Sequence, residues 1–221
     1  MSARRSRFMN RFGSTSRPGD GDMPKPNTLS LVAALILSAS VLAADHEYAA
    51  LRDEGPPIGD LQFLVFAKPP ISMRPTDSIS IRELTADTKV LLLSFFAPWC
   101  PNSNNEAPVL ESLSHRYKKR GLNVVAIAEY APSSDVRAFV AKYRWKFPIL
   151  IESWQKDEQV RQSTHHYRLR TAAGDARKWG TPFNLIFTSG RERPYFVAGE
   201  MREKEITAFL EKAIPLPSPG K

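Results

Sequence analysis

Two apolar runs constrain this chain more than any other feature: "VLLLSFF" over Val90–Phe96 and "LNVVAIA" over Leu122–Ala128. A strand that covers one side of a sheet alternates apolar and polar residues, whereas runs this continuous suit central strands buried on both faces. Between them a helical pattern extends from Asn104 to Arg120, with Val109, Leu110, Leu113 and Tyr117 on one face and Gly121 closing it as a C-cap. The rest of the chain must then supply cover for both sides of a sheet.

Its pattern fits that demand. Ser133 or Ser134 caps a helix that turns Val136, Phe139, Val140 and Tyr143 inward. "FPILIES" reads as a short strand or edge segment. Residues 155–179 are polar and fit a helix followed by a surface loop. "TPFNLIF" is a third strong strand with a proline ahead of it. Gly190 turns the chain into a last strand at Tyr195–Val197, and Lys204–Ala213 closes as an amphipathic helix that buries Ile206, Phe209, Leu210 and Ile214. Upstream, residues 45–75 are rich in Pro and Gly around a short apolar stretch, Leu61–Ala67, expected as one or two edge strands. Ile79-Ser80-Ile81 alternates as a strand does, and Arg82-Glu83-Leu84 makes one turn. Alternating strands and helices that end in two adjacent strands and a helix imply an α/β sandwich with a mixed sheet.

The chain divides into a leader over 1–43, a Pro/Gly-rich lead-in over 44–77, a folded domain over 78–214 and a tail over 215–221. Residues 1–22 are basic and Ser/Gly-rich and read as disordered. From Met23, Lys25 gives a positive start, Leu29–Leu42 is mostly apolar, and Val41-Leu42-Ala43 is a small-residue cleavage signal, the three-part layout of a secretory signal peptide. An uncleaved anchor at residues 29–44 is the alternative, although the run is short of the roughly 20 residues of a membrane span. An exported protein, periplasmic or extracellular, is expected. Much of the net charge of +8 lies in this leader, so the rest lacks the dense basic face of a nucleic-acid binder. Hydrophobic residues make 42% of the 221 and charged residues 24%, enough for a core without disulfide staples.

The first apolar run leads into "FFAPWCPNSNNEAP", which holds Cys100, the one cysteine of the chain. A cysteine there sits just before a helix N-terminus, where unpaired N–H groups and the helix dipole favour a thiolate. Trp99, Cys100, Glu106 and Pro108 resemble, in type and spacing, the W-C-x-x-C and E-x-P pattern of the TlpA-like family, bacterial periplasmic thiol–disulfide oxidoreductases with a thioredoxin fold. The resemblance covers Ile79–Ala213. It implies a thioredoxin-like three-layer sandwich with a mixed central β-sheet, and a cis-proline at Pro182, after Thr181, opening the strand "PFNLIF". It also implies that the Thr181–Pro182 backbone holds a substrate segment beside the sulfur, with Trp99 and Phe183 walling the site.

Two departures touch one step. Ser103 stands where the family has its second cysteine, and Ser94 stands where thioredoxins keep a buried carboxylate. Cys100 can attack a disulfide, but Ser103 cannot resolve the product because an alkoxide is far too basic, so an external thiol must do so. Ser103 can still donate a hydrogen bond to the sulfur. Site residues expected on these grounds are Cys100 as nucleophile, with Trp99, Pro101, Ser103, Thr181 and Pro182 around the substrate. The partners are thiols or disulfides of proteins or small molecules, and neither a cofactor nor a metal is expected. A redox-inactive binding module on the same fold is the second reading. A one-cysteine peroxidase fits less well, because no Thr or Ser precedes Cys100 in the peroxiredoxin manner.

Other residues read as structural. Glu106 favours the first turns of its helix electrostatically. His165 and His166 are expected in solvent, since sequence neighbours do not face one site, and His115 on the exposed side of its helix. Arg161, Arg168, Arg170, Arg177 and Lys178 read as a solvated basic loop that could dock an acidic partner.

Overall fold

The computed structural model describes residues 46–67, 77–86 and 88–216. The expectations for the leader, and for the tail beyond residue 216, lie outside the described residues. A mixed seven-stranded sheet forms the centre, in the order β3 (Ser78–Ser80), β2 (Gln62–Ala67), β6 (Ile149–Ile151), β5 (Leu122–Ala128), β4 (Val90–Phe96), β7 (Phe183–Thr188), β8 (Tyr195–Val197). The β4–β5 and β5–β6 pairs are parallel, and the remaining pairs are antiparallel. A separate parallel pair joins β1 (Tyr48–Ala49) to β9 (Glu200–Met201).

β4 is buried at every position. Its residues alternate between two cores, as the period of a strand requires. Val90, Leu92 and Phe96 face α2 (Pro101–Tyr117), α3 (Ser133–Tyr143) and α6 (Glu203–Ala213) through Leu110, Leu113, Tyr117, Val136, Phe139, Ile206 and Leu210. Leu91, Leu93 and Phe95 face α1 (Ile81–Thr85) and α5 (His165–Ala172) through Ile81 and Leu169, with Phe183 and Leu185 of β7 in the same cluster. Helices on both faces of a mixed sheet make the three-layer α/β sandwich.

Four features differ from the sequence expectation. α2 starts at Pro101 rather than Asn104, because Cys100 already has the extended backbone of an N-cap, φ −82° and ψ 123°. It ends at Tyr117, and Lys118–Arg120 forms a 3-10 turn closed by Gly121 at φ 111°. The polar stretch 155–179 folds as two short helices, α4 (Glu158–Ser163) and α5, with Asp157 and Thr164 as their N-caps. β2 lies inside the sheet, between β3 and β6.

The register gathers one end of the sheet. Phe96 of β4 pairs with Ala128 of β5, Ala128 with Ile151 of β6, and Phe95 with Phe183 of β7. The segments leaving β4, β5 and β6, and the segment entering β7, therefore meet along one edge.

Candidate functional site

Cys100 lies in the turn that leaves β4. Its N–H donates to the Ala97 carbonyl at 2.9 Å, and its carbonyl accepts from Asn104 N–H at 3.1 Å, so it ends a turn and begins a helix. Pro101 fills the first helical position and is exposed; its fixed φ suits a helix start, and its missing N–H had no partner there to lose. Asn104 fastens the turn to α3. Its amide nitrogen donates to the Pro98 and Cys100 carbonyls, both at 2.9 Å, and its oxygen accepts from the Tyr143 hydroxyl at 2.8 Å. Cys100 is 8% exposed, and its thiol donates to the Thr181 carbonyl at 3.2 Å. Ser103 is buried beside this turn, and its hydroxyl accepts from Ala97 N–H at 3.2 Å, so it secures the loop rather than the sulfur.

The Thr181–Pro182 peptide is cis, and both residues are buried. Two arginines hold the segment that delivers it. Arg170, 2% exposed, donates to the carbonyls of Asp175, Arg177 and Lys178. Arg177 grips the Asp175 carboxylate with two nitrogens and donates to the Gly180 and Pro182 carbonyls, each at 3.0 Å. Gly180 has φ +62°, and a Cβ there would lie 2.5 Å from Arg170 Cδ, so only glycine fits. The expected solvated loop is thus corrected: Arg161 and Arg170 are buried, whereas Arg168 and Lys178 are exposed. Carbonyls that strands or helices would otherwise satisfy find guanidinium donors instead.

His166 is corrected in the same way. It is fully buried rather than in solvent, and burial together with the Arg170 charge lowers its pKa to about 3. Its Nε2 lies 3.3 Å from the Gly180 carbonyl, which can only accept, so Nε2 carries the proton. Nδ1 of the neutral ring then accepts from the Tyr130 hydroxyl at 2.8 Å. Tyr130 has φ 53°, and its carbonyl accepts from the Trp99 indole N–H at 3.0 Å. Trp99, Tyr130, His166 and Gly180 therefore link the two sides of the cysteine through hydrogen bonds. Phe183 is fully buried against Phe95, His166 and Phe196, a core residue rather than a wall of the site; Trp99 is half-buried.

Glu106 is corrected most sharply. It is 2% exposed, and its carboxyl accepts from Met201 N–H at 2.8 Å, Asn184 Nδ2 at 3.1 Å and the Ser94 hydroxyl at 3.4 Å. Burial raises its pKa to about 8 against the pull of those donors, with the nearby Glu200 charge adding to the rise. Ser94 thus supports a buried carboxyl supplied from α2. A second buried acid, Glu129, follows β5 directly. It is fully buried with no N–H or hydroxyl donor on either oxygen, and burial, reinforced by the charge of Glu152 and by a hydrogen bond that its protonated form donates to Glu152, holds its pKa well above the usual range. Burial pushes Glu152 upward too, but hydrogen bonds from the His165 ring, the Glu129 carboxyl and the His165 and His166 N–H groups outweigh it and leave the pKa low. Sequence reading missed Glu129, Tyr130, Trp179 and Glu47. Among the described residues, no group of three or more His, Cys, Asp or Glu is placed to hold a metal.

Comparison with known proteins follows the same lines. The sequence profile of the AhpC/TSA family matches residues 69–175. A protein described as thiol-disulfide oxidoreductase ResA, from Bacillus cereus, is 31% identical over 137 residues, covering 62% of this chain and 69% of that protein. Another of the same description, from Halalkalibacterium halodurans, is 36% identical over 76 residues, 34% of this chain; the match spans only 42% of that relative's length. The crystal structure of a putative thiol:disulfide interchange protein DsbE from Chlorobium tepidum shares the fold, with a TM-score of 0.51 at 17% identity, over 74% of this chain and 99% of that one.

Proposed function

Because the chain belongs to the ResA family of thioredoxin-fold thiol-disulfide oxidoreductases, we propose that it exchanges thiols and disulfides through Cys100 alone, outside the cytoplasm. The observation that carries this reading is the placement of Cys100: N-cap of α2, with its sulfur 3.2 Å from the carbonyl that precedes the cis-proline. A partner that engages the Thr181 backbone frees the sulfur. The Cys100 thiolate then attacks one sulfur of the partner's disulfide; a new S–S bond forms, the old one breaks, and the other sulfur leaves as a thiolate that takes up the proton Cys100 gave to solvent. An external thiolate attacks the partner's sulfur in the mixed disulfide and returns Cys100 to its reduced form. Ser103, fixed by Ala97 N–H, takes no part in that release.

The test is covalent trapping. With no second thiol in the chain, mixed disulfides with Cys100 accumulate and mass spectrometry identifies them; Cys100→Ala abolishes them. A wild-type protein that forms no thiol-dependent adduct with any disulfide overturns the reading. It would favour the second one, a redox-inactive binding module, for which the 8% exposure of Cys100 speaks; there Cys100→Ala keeps full partner binding. Export is checked by N-terminal sequencing of the protein recovered from its compartment, with a start near residue 44 expected.

A further inference from the structure

Two tryptophans flank the nucleophile. Trp99 precedes Cys100, and Trp179 lies two residues before Thr181, whose carbonyl holds the sulfur. Their rings meet edge to face at 5.7 Å, Tyr130 packs on Trp179 at 5.1 Å, and both tryptophans are half-buried. Three cations converge on this pair. Lys156 Nζ stands 3.5 Å over Trp99 and 5.6 Å from Trp179, while Arg161 and Lys178 approach Trp179 at 5.7 and 5.9 Å.

The acids nearby are already committed. Glu158 pairs with Arg161, Asp157 caps α4 through the Gln159 and Val160 N–H groups, and Glu152 is bound to His165. Among the described residues, Lys156 and Lys178 form no ion pair, and both are exposed. An ammonium held on a ring face still has N–H groups directed to solvent, so its charge is positioned but unspent. Glu47 is taken up by Asn102 and Arg177. Lys156 and Lys178 therefore place two ammonium groups by the rings that flank Cys100, with no salt bridge of their own among the described residues.

We propose that Trp99, Trp179, Lys156 and Lys178 form a docking pad for an acidic segment of a protein partner, placed so that a cysteine within that segment reaches Cys100. This rests on the thiol–disulfide reading and names its substrate class. The segment's apolar stems lie on the indole rings, and its carboxylates meet the two ammonium groups. Attraction of this kind raises the encounter rate and discriminates against basic segments, which meet like charge.

The test uses symmetrical disulfides of short peptides that differ only in the residues flanking the cysteine, glutamates in one and lysines in the other. Rates of Cys100 adduct formation are followed by mass spectrometry and normalised to each peptide's rate with a small free thiol. The glutamate peptide is expected to react about tenfold faster, with the advantage shrinking toward high salt. In Lys156→Gln/Lys178→Gln the ratio falls to near one. Equal rates in the wild type, or a ratio that survives in the double variant, overturn the proposal while leaving the thiol–disulfide reading intact. If neither peptide forms an adduct, that reading fails, and Cys100→Ala protein titrated with each peptide by tryptophan fluorescence decides the pad by itself. Tighter binding of the glutamate peptide supports it, and equal binding removes it.

Discussion

Glu106 and Glu129 are both buried carboxyls at the same end of the sheet, one on α2 and one at the tip of β5, and they have been treated differently by their surroundings. Glu106 receives three hydrogen bonds, and its pKa settles at about 8. Glu129 accepts none; burial, and then the charge of Glu152, to which its protonated form donates, place its pKa well above the usual range. Burial sets the direction for both, and the donors set how far the shift goes. A carboxyl with donors aimed at it can ionise near neutral pH; one without them remains a neutral acid, here beside the Glu152 carboxylate. The first is built into the cysteine helix, and the second anchors the edge on which Tyr130 and His166 rest.

The largest effect that could break this contrast is the pH dependence of stability. Each group has a folded-state pKa above its unfolded one, so its contribution is full below about pH 4.5 and is lost as pH rises toward the folded pKa. For Glu106 the loss amounts to about 5 kcal/mol between pH 4.5 and 8 and then stops. Denaturant unfolding across that range should show the slope, and Glu106→Gln should remove its share of it. A slope that persists above pH 8 and disappears in Glu129→Gln marks Glu129 as the acid with the higher pKa; a flat profile in the wild type would refute both assignments.

Next in size is the cost of truncation at a pH where both acids are protonated. Glu106→Ala leaves the Met201 N–H and the Asn184 amide buried without their acceptor and should cost about 3 kcal/mol. Glu129→Met, of similar volume, strands no donor and removes only the hydrogen bond to Glu152, so it should cost less than Glu106→Ala, about 1 kcal/mol. Equal losses in urea unfolding would mean that the donors around Glu106 contribute nothing.

On the Glu129 side, His166→Ala should destabilise by about 2–3 kcal/mol, since it opens a cavity and takes one hydrogen-bond partner each from the Tyr130 hydroxyl and the Gly180 carbonyl. It should also slow adduct formation at Cys100 by loosening the Thr181 carbonyl; unchanged kinetics would separate this cluster from the cysteine. The smallest effect belongs to Asn102→Ala. Its bond to the half-exposed Glu47 is worth about 0.5 kcal/mol or less, and thermal unfolding should barely register it.

How much of this was legible in the sequence follows from how local each signal is. β4 and β5 announce themselves because their runs are apolar but for Ser94 and Asn123, whereas the start of α2 was read three residues late, at Asn104, past the proline at its first position. Glu106 gives no such sign: its strongest partner lies 95 residues away, and a glutamate early in a helix looks the same whether it faces water or a buried amide. His166, Arg161 and Arg170 misled for the same reason, since a polar run reads as surface unless its distant acceptors are known. β2 read as an edge strand because its neighbours β3 and β6 are short and contribute little local pattern.

The Met201 N–H that completes the Glu106 site, and the Thr181 carbonyl that holds the thiol, lie near the C-terminal end of the chain. During synthesis Cys100 leaves the ribosome with neither in place. At about 5–20 residues per second, the hundred or so residues from Cys100 to Met201 take roughly 5–20 s to follow. Through that interval the one thiol of the protein is an ordinary, unguarded cysteine on a nascent chain, open to any disulfide it meets. A chain cut short before residue 181 never leaves that condition.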